Sequence, residues 1–327
     1  TAQGGGAAGT SNNFEIVANV AHHFIIEDIS SPQTAGAAFG LSISARDAYE
    51  NLATTYSDSA ALSDTTGSIS PTATGNFGAG LWAGKVAITR SQPGVSITAQ
   101  DGGVSGSSND ITVDPGALHR FAMRTVTDQV AGGSFTLVIT AFDPWDNLKA
   151  NYAGQPQLSD ATGTISPEDT GVGCFLPSGV CARSVAITRA QSNVRITVSD
   201  PGGVDLQSNP FTVSPAALDH IRINTAANNG GQGYGYPVEM LPHATDIYQT
   251  FSVWGAGYDQ YDNYRNDVAV IWALLDVLAE GQIAPAYAIS ATFTPAPILS
   301  GTGEIVATYV PDGLVDSSGV ITMRAPW

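Results

Sequence analysis

The chain has 327 residues and a formal net charge of −17, with 12 Lys and Arg against 29 Asp and Glu. So few cations in an acidic chain cannot form the basic face that nucleic-acid binding needs, and an anionic membrane surface would repel the chain. The longest unbroken apolar run, Val268–Leu275, is far shorter than the ~20 residues of a membrane-spanning helix. A hydrophobic content of 43% excludes a disordered chain, and the length predicts two or three folded domains.

Residues 1–20 are predicted to be an extension ahead of the first domain. The chain starts at Thr1 without an initiator Met or a cationic and apolar leader, which predicts a mature or trimmed product from which any signal peptide is gone. Four alternating apolar residues then predict a strand with one apolar face: Phe14, Ile16, Ala18 and Val20. A lone strand cannot bury such a face by itself, so this strand needs a partner sheet.

Two interpretations of this strand are open. Its sequence at 11–24, SNNFEIVANVAHHF, resembles SNDITVDPGALHRF at 108–121, where one repeat runs into the next. In the first interpretation, the strand is the remnant of a preceding domain and lies on the first domain. In the second, it pairs with a sandwich of a neighbouring molecule, where main-chain hydrogen bonds give affinity and alternate side chains fill pockets. Such a contact runs head to tail and can build a filament, and this is the preferred hypothesis.

Two long segments of the chain repeat each other. Residues 33–71 and 129–167 are identical at 19 of 39 positions, with a constant offset of 96. The offset rises to 99 beyond the two cysteines, so three residues are inserted at the cysteine loop. Because a unit of this length is a whole domain, the repeat predicts domains at 21–116 and 117–216.

Within each repeat, apolar residues alternate with polar or small ones. The clearest run contains Phe39, Leu41, Ile43 and Ala45. Such alternation predicts strands with one face in a core, and clusters of Gly, Pro, Asn and Asp between them predict turns. About seven strands per repeat, without an amphipathic helix, predict an all-β fold of immunoglobulin-like two-sheet sandwiches.

An acidic turn occurs once per repeat. The three copies read DAYEN at 47–51, DPWDN at 143–147 and DQYDN at 259–263. Ca²⁺ binds several carboxylate and carbonyl oxygens, so these turns supply candidate calcium ligands: Asp47, Asp143, Asp146, Asp259 and Asp262. Each turn offers only one or two carboxylates. The favoured alternative is that Asp and Asn make the hydrogen bonds of the turn itself.

Cys174 and Cys181, the only two cysteines, flank six residues of a loop in the second repeat. Two cysteines without a nearby His cannot complete a zinc site. The spacing therefore predicts a local disulfide, which implies an oxidising compartment. Two free thiols are the alternative.

A third, divergent domain is predicted at 217–327. Phe251–Asn263 aligns with Phe135–Asn147 at an offset of 116, against 100 at the end of the second repeat, which implies 16 inserted residues. Tyrosines in and after this insertion are candidate interface aromatics: Tyr234, Tyr236, Tyr248, Tyr258 and Tyr261. Exposed tyrosine buries a large area at little entropic cost. We expect this cluster to contact another subunit rather than a glycan.

The repeat motifs resemble those of a known group of proteins. The motifs are F-x-L-x-I-x-A-x-D-x-x-x-N, LSD-x-TG-x-ISP and DGG-x-x-x-x-SN-x-x-TV. They look like the tandem immunoglobulin-like repeats of bacterial and archaeal cell-surface proteins, especially the invasin and intimin type, over residues 21–325. The resemblance implies an extracellular or cell-surface location and a role as a spacer, stalk, adhesin, surface-layer or fibre component. It implies no active site.

No catalytic motif accompanies these repeats, because neither G-x-S-x-G nor H-E-x-x-H occurs. The sequence therefore predicts a non-catalytic extracellular structural protein. Its partners would be copies of itself, joined head to tail into a filament by N-terminal strand donation, with structural Ca²⁺ as the one candidate cofactor. The alternatives are an adhesin stalk or tip that binds a glycan or a host or matrix ligand, and the non-catalytic tail of a secreted enzyme.

Overall fold

The computed structural model describes residues 2–4, 7–9, 12, 18–228, 243–246, 250–296 and 301–324. Over these residues the fold is all-β, as predicted, apart from one short 3-10 helix at Asp276–Glu280. None of the helical structure in these ranges is long and apolar enough to cross a membrane.

By its contacts the chain divides into two compact units. The first contains Thr1–Arg120, Thr140–Tyr152 and Phe175–Val180, and the second contains Phe121–Ile139, Ala153–Cys174 and Cys181–Trp327. The predicted domain boundaries at 116 and 216 stay predictions, and "repeat" below means the three sequence segments 21–116, 117–216 and 217–327.

The first repeat forms a sandwich around one core. Its strands are His23–Ile26, Gln33–Thr34, Phe39–Arg46, Ala61–Asp64, Ile69–Ser70, Leu81–Ile88, Gln92–Val95, Ile97–Asp101, Val104–Ser107 and Ile111–Asp114. They form one four-stranded and two three-stranded sheets. The alternating residues Leu41, Ile43 and Ala45 are buried, and one hydrophobic cluster joins side chains from all three sheets. This confirms the period-two prediction.

The second repeat has the same succession of strands. They are Arg120–Met123, Gln129–Val130, Phe135–Phe142, Gln157–Asp160, Ile165–Ser166, Val180–Ile187, Gln191–Val194, Ile196–Ser199, Asp205–Gln207 and Phe211–Ser214. Leu137, Ile139 and Ala141 are buried like their counterparts in the first repeat. Cys174 and Cys181 form the predicted disulfide, with their Cα atoms 4.9 Å apart.

The third repeat is also a β-sandwich within its described part. Its strands are His220–Asn224, His243–Asp246, Phe251–Tyr258, Tyr264–Asp267, Val270–Leu274, Gln282–Ala284, Tyr287–Ala288, Ser290–Thr294, Gly301–Gly303, Ile305–Tyr309, Leu314–Ser317 and Ile321–Arg324. Trp272 is buried in its core beside Val270 and Phe293. Ahead of the repeats, Ala2–Gly4 pairs antiparallel with Ala7–Gly9.

A short strand pairs in parallel with the last strand of each repeat. The pairs are Gln33–Thr34 with Ile111–Asp114, Gln129–Val130 with Phe211–Ser214, and His243–Asp246 with Ile321–Arg324. In the first two repeats a glycine in the left-handed region follows this short strand, namely Gly36 (φ +75°) and Gly132 (φ +73°). These two glycines belong to the site described next.

Candidate interface site at the acidic turns

The three acidic turns close on themselves through the same local hydrogen bonds. In the second turn, the Asp143 Oδ1 atom accepts the backbone N–H groups of Trp145 and Asn147, both at 2.9 Å. Asp47 and Asp259 accept the two corresponding N–H groups in their own turns. All three aspartates are buried. Since every partner lies within four residues, the motif by itself produces this turn.

The fourth residue of each turn has a left-handed backbone. The φ angles are +68° at Glu50, +64° at Asp146 and +62° at Asp262. Asp tolerates this region better than most residues do, because its short side chain can form local hydrogen bonds.

The hydrogen bonds lower the pKa values of two of the buried aspartates. For Asp47, the backbone N–H of Asn19 is the largest cause, and the pKa falls to about 2. For Asp143, burial acts to raise the pKa, but the Asn147 side chain and the backbone N–H groups of Gly116, Asn147 and Trp145 together outweigh it, so the pKa is lowered. Both carboxylates are therefore charged at neutral pH.

The second turn also binds the end of the first repeat. The Asn147 side chain donates from Nδ2 to the Thr89 carbonyl at 2.7 Å, and its Oδ1 accepts the Ser91 N–H at 2.9 Å. Asp143 Oδ2 accepts the N–H of Gly116, the last residue of the first repeat, at 2.9 Å. All of these residues lie in the first compact unit. We call Asp47–Asn51, Asp143–Asn147 and Asp259–Asn263 the docking turns.

An aromatic ring completes this contact. The Trp145 ring lies against Gly36, where an added Cβ would come within 1.8 Å of its Cη2 atom. Gly116 lies on the same ring, with 2.9 Å from its hypothetical Cβ to Cζ3. No larger side chain fits at Gly36 without displacing the ring. We call Gly36, Thr89–Ser91 and Gly116 the socket of the first repeat.

The third docking turn repeats this arrangement inside the second compact unit. Asn263 donates from Nδ2 to the Thr188 carbonyl and accepts the Ala190 N–H on Oδ1, both at 2.8 Å. Asp259 Oδ2 accepts the N–H of Ala216, the last residue of the second repeat, at 2.7 Å. The Tyr261 ring covers Gly132, whose hypothetical Cβ would lie 2.0 Å from the hydroxyl oxygen. The same three hydrogen bonds and the same ring-on-glycine contact thus occur twice.

The first docking turn has the same internal structure but a different outer face. The Asn19 N–H donates to Asp47 Oδ2 at 3.0 Å, as Gly116 and Ala216 donate in the other turns. Within the described residues, the hydrogen bonds of the Asn51 side chain go to Asp47. The Tyr49 side chain is 78% exposed, whereas Trp145 is 43% exposed and Tyr261 is 38% exposed.

Each docking turn forms an acid–base pair with the first strand of its own repeat. The pairs are His23 with Glu50 at 3.3 Å, Arg120 with Asp146 at 2.8 Å, and His220 with Asp262 at 3.1 Å. Arg222 also contacts Asp262, at 2.7 Å. The paired position in the turn is the one with the left-handed backbone.

The five carboxylates predicted as calcium ligands are distributed over three turns and already have hydrogen-bond or ion-pair partners. Asp47, Asp143 and Asp259 accept the N–H groups described above, and Asp146 and Asp262 pair with cations. In the described part of the chain, no group of three or more Asp, Glu, His or Cys side chains is arranged to hold a metal. Calcium binding stays a prediction, which thermal unfolding in Ca²⁺ and in EDTA would test.

The predicted interface tyrosines have separate environments. Tyr258 is fully buried, with its hydroxyl 3.0 Å from Asn224 Nδ2, so its place among exposed interface rings is corrected: it is a core residue. Tyr261 lies on Gly132, as described above. Tyr234, Tyr236 and Tyr248 lie outside the described residues.

The predicted donor strand is described only at its end. Ala18 is half-buried, Val20 is 73% exposed, and neither is in a strand. Phe14 and Ile16 lie outside the described residues. Strand donation stays a prediction.

The socket residues were not among the residues predicted from the sequence. Thr89–Ser91 and Thr188–Ala190 read TRS and TRA, and Gly36 and Gly132 both follow an alanine, so repetition was the available signal. Repetition alone does not show that these segments face an acidic turn.

Comparison with known proteins gives structural neighbours only. No family model matches the chain, and no curated protein matches its sequence. Similar solved structures include the FdeC adhesin of Escherichia coli, with 16% identity and a TM-score of 0.41, covering 94% of this chain and 100% of that one. The bacterial integrin-binding protein invasin has 11% identity and a TM-score of 0.32, covering 92% of this chain and 60% of that one. Domains 1–6 of the surface-layer protein SbsC have 12% identity and a TM-score of 0.29, covering 92% and 40%.

Proposed function

We propose that the chain is a non-catalytic extracellular structural protein and the repeating subunit of a surface fibre. The observation that supports this most is the repeated docking contact, in which the same turn fastens a repeat to the one before it at two places. Successive sandwiches that are fastened in the same way suit a mechanical role. The disulfide suits an oxidising, extracellular compartment.

We propose that copies join head to tail through the N-terminal strand. Phe14, Ile16, Ala18 and Val20 would fill the apolar face of a sandwich in the neighbouring copy, and main-chain hydrogen bonds would supply affinity. The net charge of −17 opposes unspecific lateral contact, so an apolar strand contact is the available means of association.

Negative-stain microscopy of the purified chain tests this function. We expect filaments from the full chain and folded, unassembled molecules after deletion of residues 1–20. Deletion of residues 1–10 is the matched control, because it keeps the apolar strand and should keep the filaments. Filaments that survive loss of residues 1–20 would exclude strand donation.

An adhesive role is the second candidate function. Three exposed apolar side chains lie along one row of a sheet in the third repeat, interrupted by the half-buried Thr308: Tyr287 is 61% exposed, Ile271 is 45% exposed and Val315 is 62% exposed. Ile271 pairs with Tyr287 on one side and with Thr308 on the other, and Thr308 pairs with Val315. Glycan or matrix-protein binding that is lost in Tyr287→Ala, with isolated molecules in the microscope, would favour this role over the fibre.

A further inference from the structure

One sheet of the third repeat has an apolar outer side. Its strands are, in spatial order, Tyr287–Ala288, Val270–Leu274, Ile305–Tyr309 and Leu314–Ser317. Trp272 and Ala307 belong to the core, so the residues that alternate with them lie on the other side of the sheet. These outward residues form two rows across the strands, which we call the apolar face: Tyr287, Ile271, Thr308 and Val315 in one row, and Ala273, Val306 and Ser317 in the other.

The corresponding sheets of the first two repeats have small or polar residues at the same outward positions. The counterparts of Ile271, Val306 and Val315 are, in order, Ala61, Thr98 and Ser105 in the first repeat and Gln157, Thr197 and Asp205 in the second. The inward positions stay buried and apolar in all three repeats, as Leu62, Leu158 and Trp272 show. Those two sheets have three strands, so the strand with Tyr287 is an addition of the third repeat. The fold therefore does not require apolar residues on this outward side.

The apolar face is exposed, and its two rows contain no charged side chain. Tyr287 and Val315 are both more than half exposed, and the polar side-chain atoms of the face are three hydroxyl groups. Carboxylates lie at the ends of the strands instead: Asp276 and Glu304 flank one end, and Asp312 lies in the turn at the other. Apolar side chains grouped in this way on a surface indicate a site that binds another molecule.

We propose that the apolar face binds the same face of a second copy of the chain, sheet against sheet, about a twofold axis. Two sheets pack face to face through interdigitating apolar side chains, and identical faces meet this requirement symmetrically. A charged partner would lose its hydration at this face without gaining an ion pair. The chain as a whole is acidic, with 29 Asp and Glu against 12 Lys and Arg, so an uncharged face is where two copies repel each other least.

The size of the apolar face limits the strength of this contact. Four strands about 4.8 Å apart, with one or two outward residues each, cover roughly 300 Å². A stable interface buries about 800 Å² on each partner, so a single contact between two copies is weak. In a fibre the face recurs once per subunit, and many weak contacts between two fibres add up. This step from two copies to two fibres side by side rests on the proposed function.

Cross-linking through one introduced thiol tests the contact independently of any fibre. The two cysteines of the chain are bonded to each other, so Thr308→Cys supplies the single free thiol. Thr308 lies on a central strand of the apolar face, where a twofold contact brings it close to its own copy. We expect a short bis-maleimide to join copies into covalent dimers. The yield should rise several-fold at high salt, because salt screens the carboxylates at the strand ends.

Matched substitutions in the first repeat make the test specific. Gln100→Cys has the same register position as Thr308→Cys and should give several-fold fewer dimers. Ile271→Lys, added to Thr308→Cys, places a charge in the face and should remove most dimers, whereas Ala61→Lys should not. Both lysines replace exposed side chains, and unfolding midpoints check that the variants fold. Equal yields from the two cysteine variants, or a yield that falls at high salt, would overturn the proposal. Loss of glycan or matrix-protein binding in Ile271→Lys would then assign the face to the adhesive role.

Negative-stain images of the full chain test the step from two copies to two fibres. We expect filaments that lie side by side at high salt, and single filaments of unchanged length from Ile271→Lys. Filaments of Ile271→Lys that still lie side by side would overturn the lateral contact between fibres, even if dimers form. An absence of filaments would contradict the proposed function and this step, while the Thr308→Cys dimers still decide whether two faces bind each other.

Discussion

The first and second docking turns share a motif and a backbone but differ in what they bind. Asp47 and Asp143 accept the same local N–H groups, yet Asn147 binds Thr89 and Ser91 while Asn51 binds only within its own turn in the described structure. The difference shows that the turn forms without a partner. The preceding repeat adds the contact without changing the hydrogen bonds inside the turn. The turn therefore has its binding conformation before a repeat binds to it. Each prediction below separates what the turn does alone from what docking adds.

Lowering the pH should reduce the stability of the fold most, because it protonates the buried aspartates of the docked and undocked turns together. The folded-state pKa values of Asp47 and Asp143 lie below the unfolded value of about 3.9, so the unfolded chain binds protons more readily. The stability that these groups supply is complete above pH 4 and is lost as the pH falls through about 2 for Asp47. Thermal unfolding between pH 5 and pH 2 measures this. Asp47→Asn should weaken the pH dependence, and an unchanged melting temperature at pH 2.5 would contradict the prediction.

Filling the socket should have the next largest effect. Gly67→Ala should cost about 1–2 kcal/mol of unfolding free energy for the left-handed backbone alone. Gly36→Ala should cost a further ~1–3 kcal/mol, because the new Cβ collides with Trp145. Calorimetry gives the stability, and tryptophan emission should shift to the red as the ring leaves the socket. An equal loss of unfolding free energy in the two variants would show that the contact between Trp145 and Gly36 does not contribute to stability.

Removing the docking amide should have a smaller effect, and only where a partner is present. Asn147→Ala removes the hydrogen-bond partner of the Thr89 carbonyl and of the Ser91 N–H. This change should lower the free energy of unfolding by about 2 kcal/mol. The matched change Asn51→Ala removes only two long, partly buried hydrogen bonds to Asp47 within the turn and should lower the free energy of unfolding by less than ~1 kcal/mol. Urea titrations of both variants compare them. A loss at Asn51 as large as that at Asn147 would mean that the amide supports the turn and not the docking.

The surface pair should matter least. Arg120 and Asp146 are 2.8 Å apart, but the exposed fractions of their side chains are 43% and 73%, so solvent and salt screen the attraction. Arg120→Ala should cost less than ~1 kcal/mol, and part of this loss should persist at 1 M salt because the guanidinium also lies 4.1 Å from the Phe142 ring centre. Melting curves at low and high salt separate the two contributions. If Arg120→Ala lowers the free energy of unfolding more than Asn147→Ala does, the surface pair contributes more to stability than the docking amide, which would contradict the prediction.

Most of the fold could be predicted because its signals are local or repeated. The alternation around Leu41 and Ile43 predicts strands, and recurrence at a fixed offset shows where a sandwich begins again. The candidate site was predicted only in part. The acidic turns were recognised from their repeated motif, and hydrogen bonds of Asp and Asn within the turn were the favoured alternative to calcium binding. Tyr258 was misassigned because composition cannot distinguish a tyrosine at an interface from one in the core.

The sequence by itself determined the turns, because their hydrogen bonds join residues no more than four positions apart. Only the tertiary structure decided what they bind, since Asn147 meets Thr89 and Ser91 across 58 and 56 positions. Those partners offer backbone atoms, which every residue has, so no side-chain pattern marks them. The charge of −17 predicts that polyanions are not partners, but it does not predict the contacts between repeats, which depend on asparagine amides, on buried aspartate carboxylates and on rings that lie against glycine.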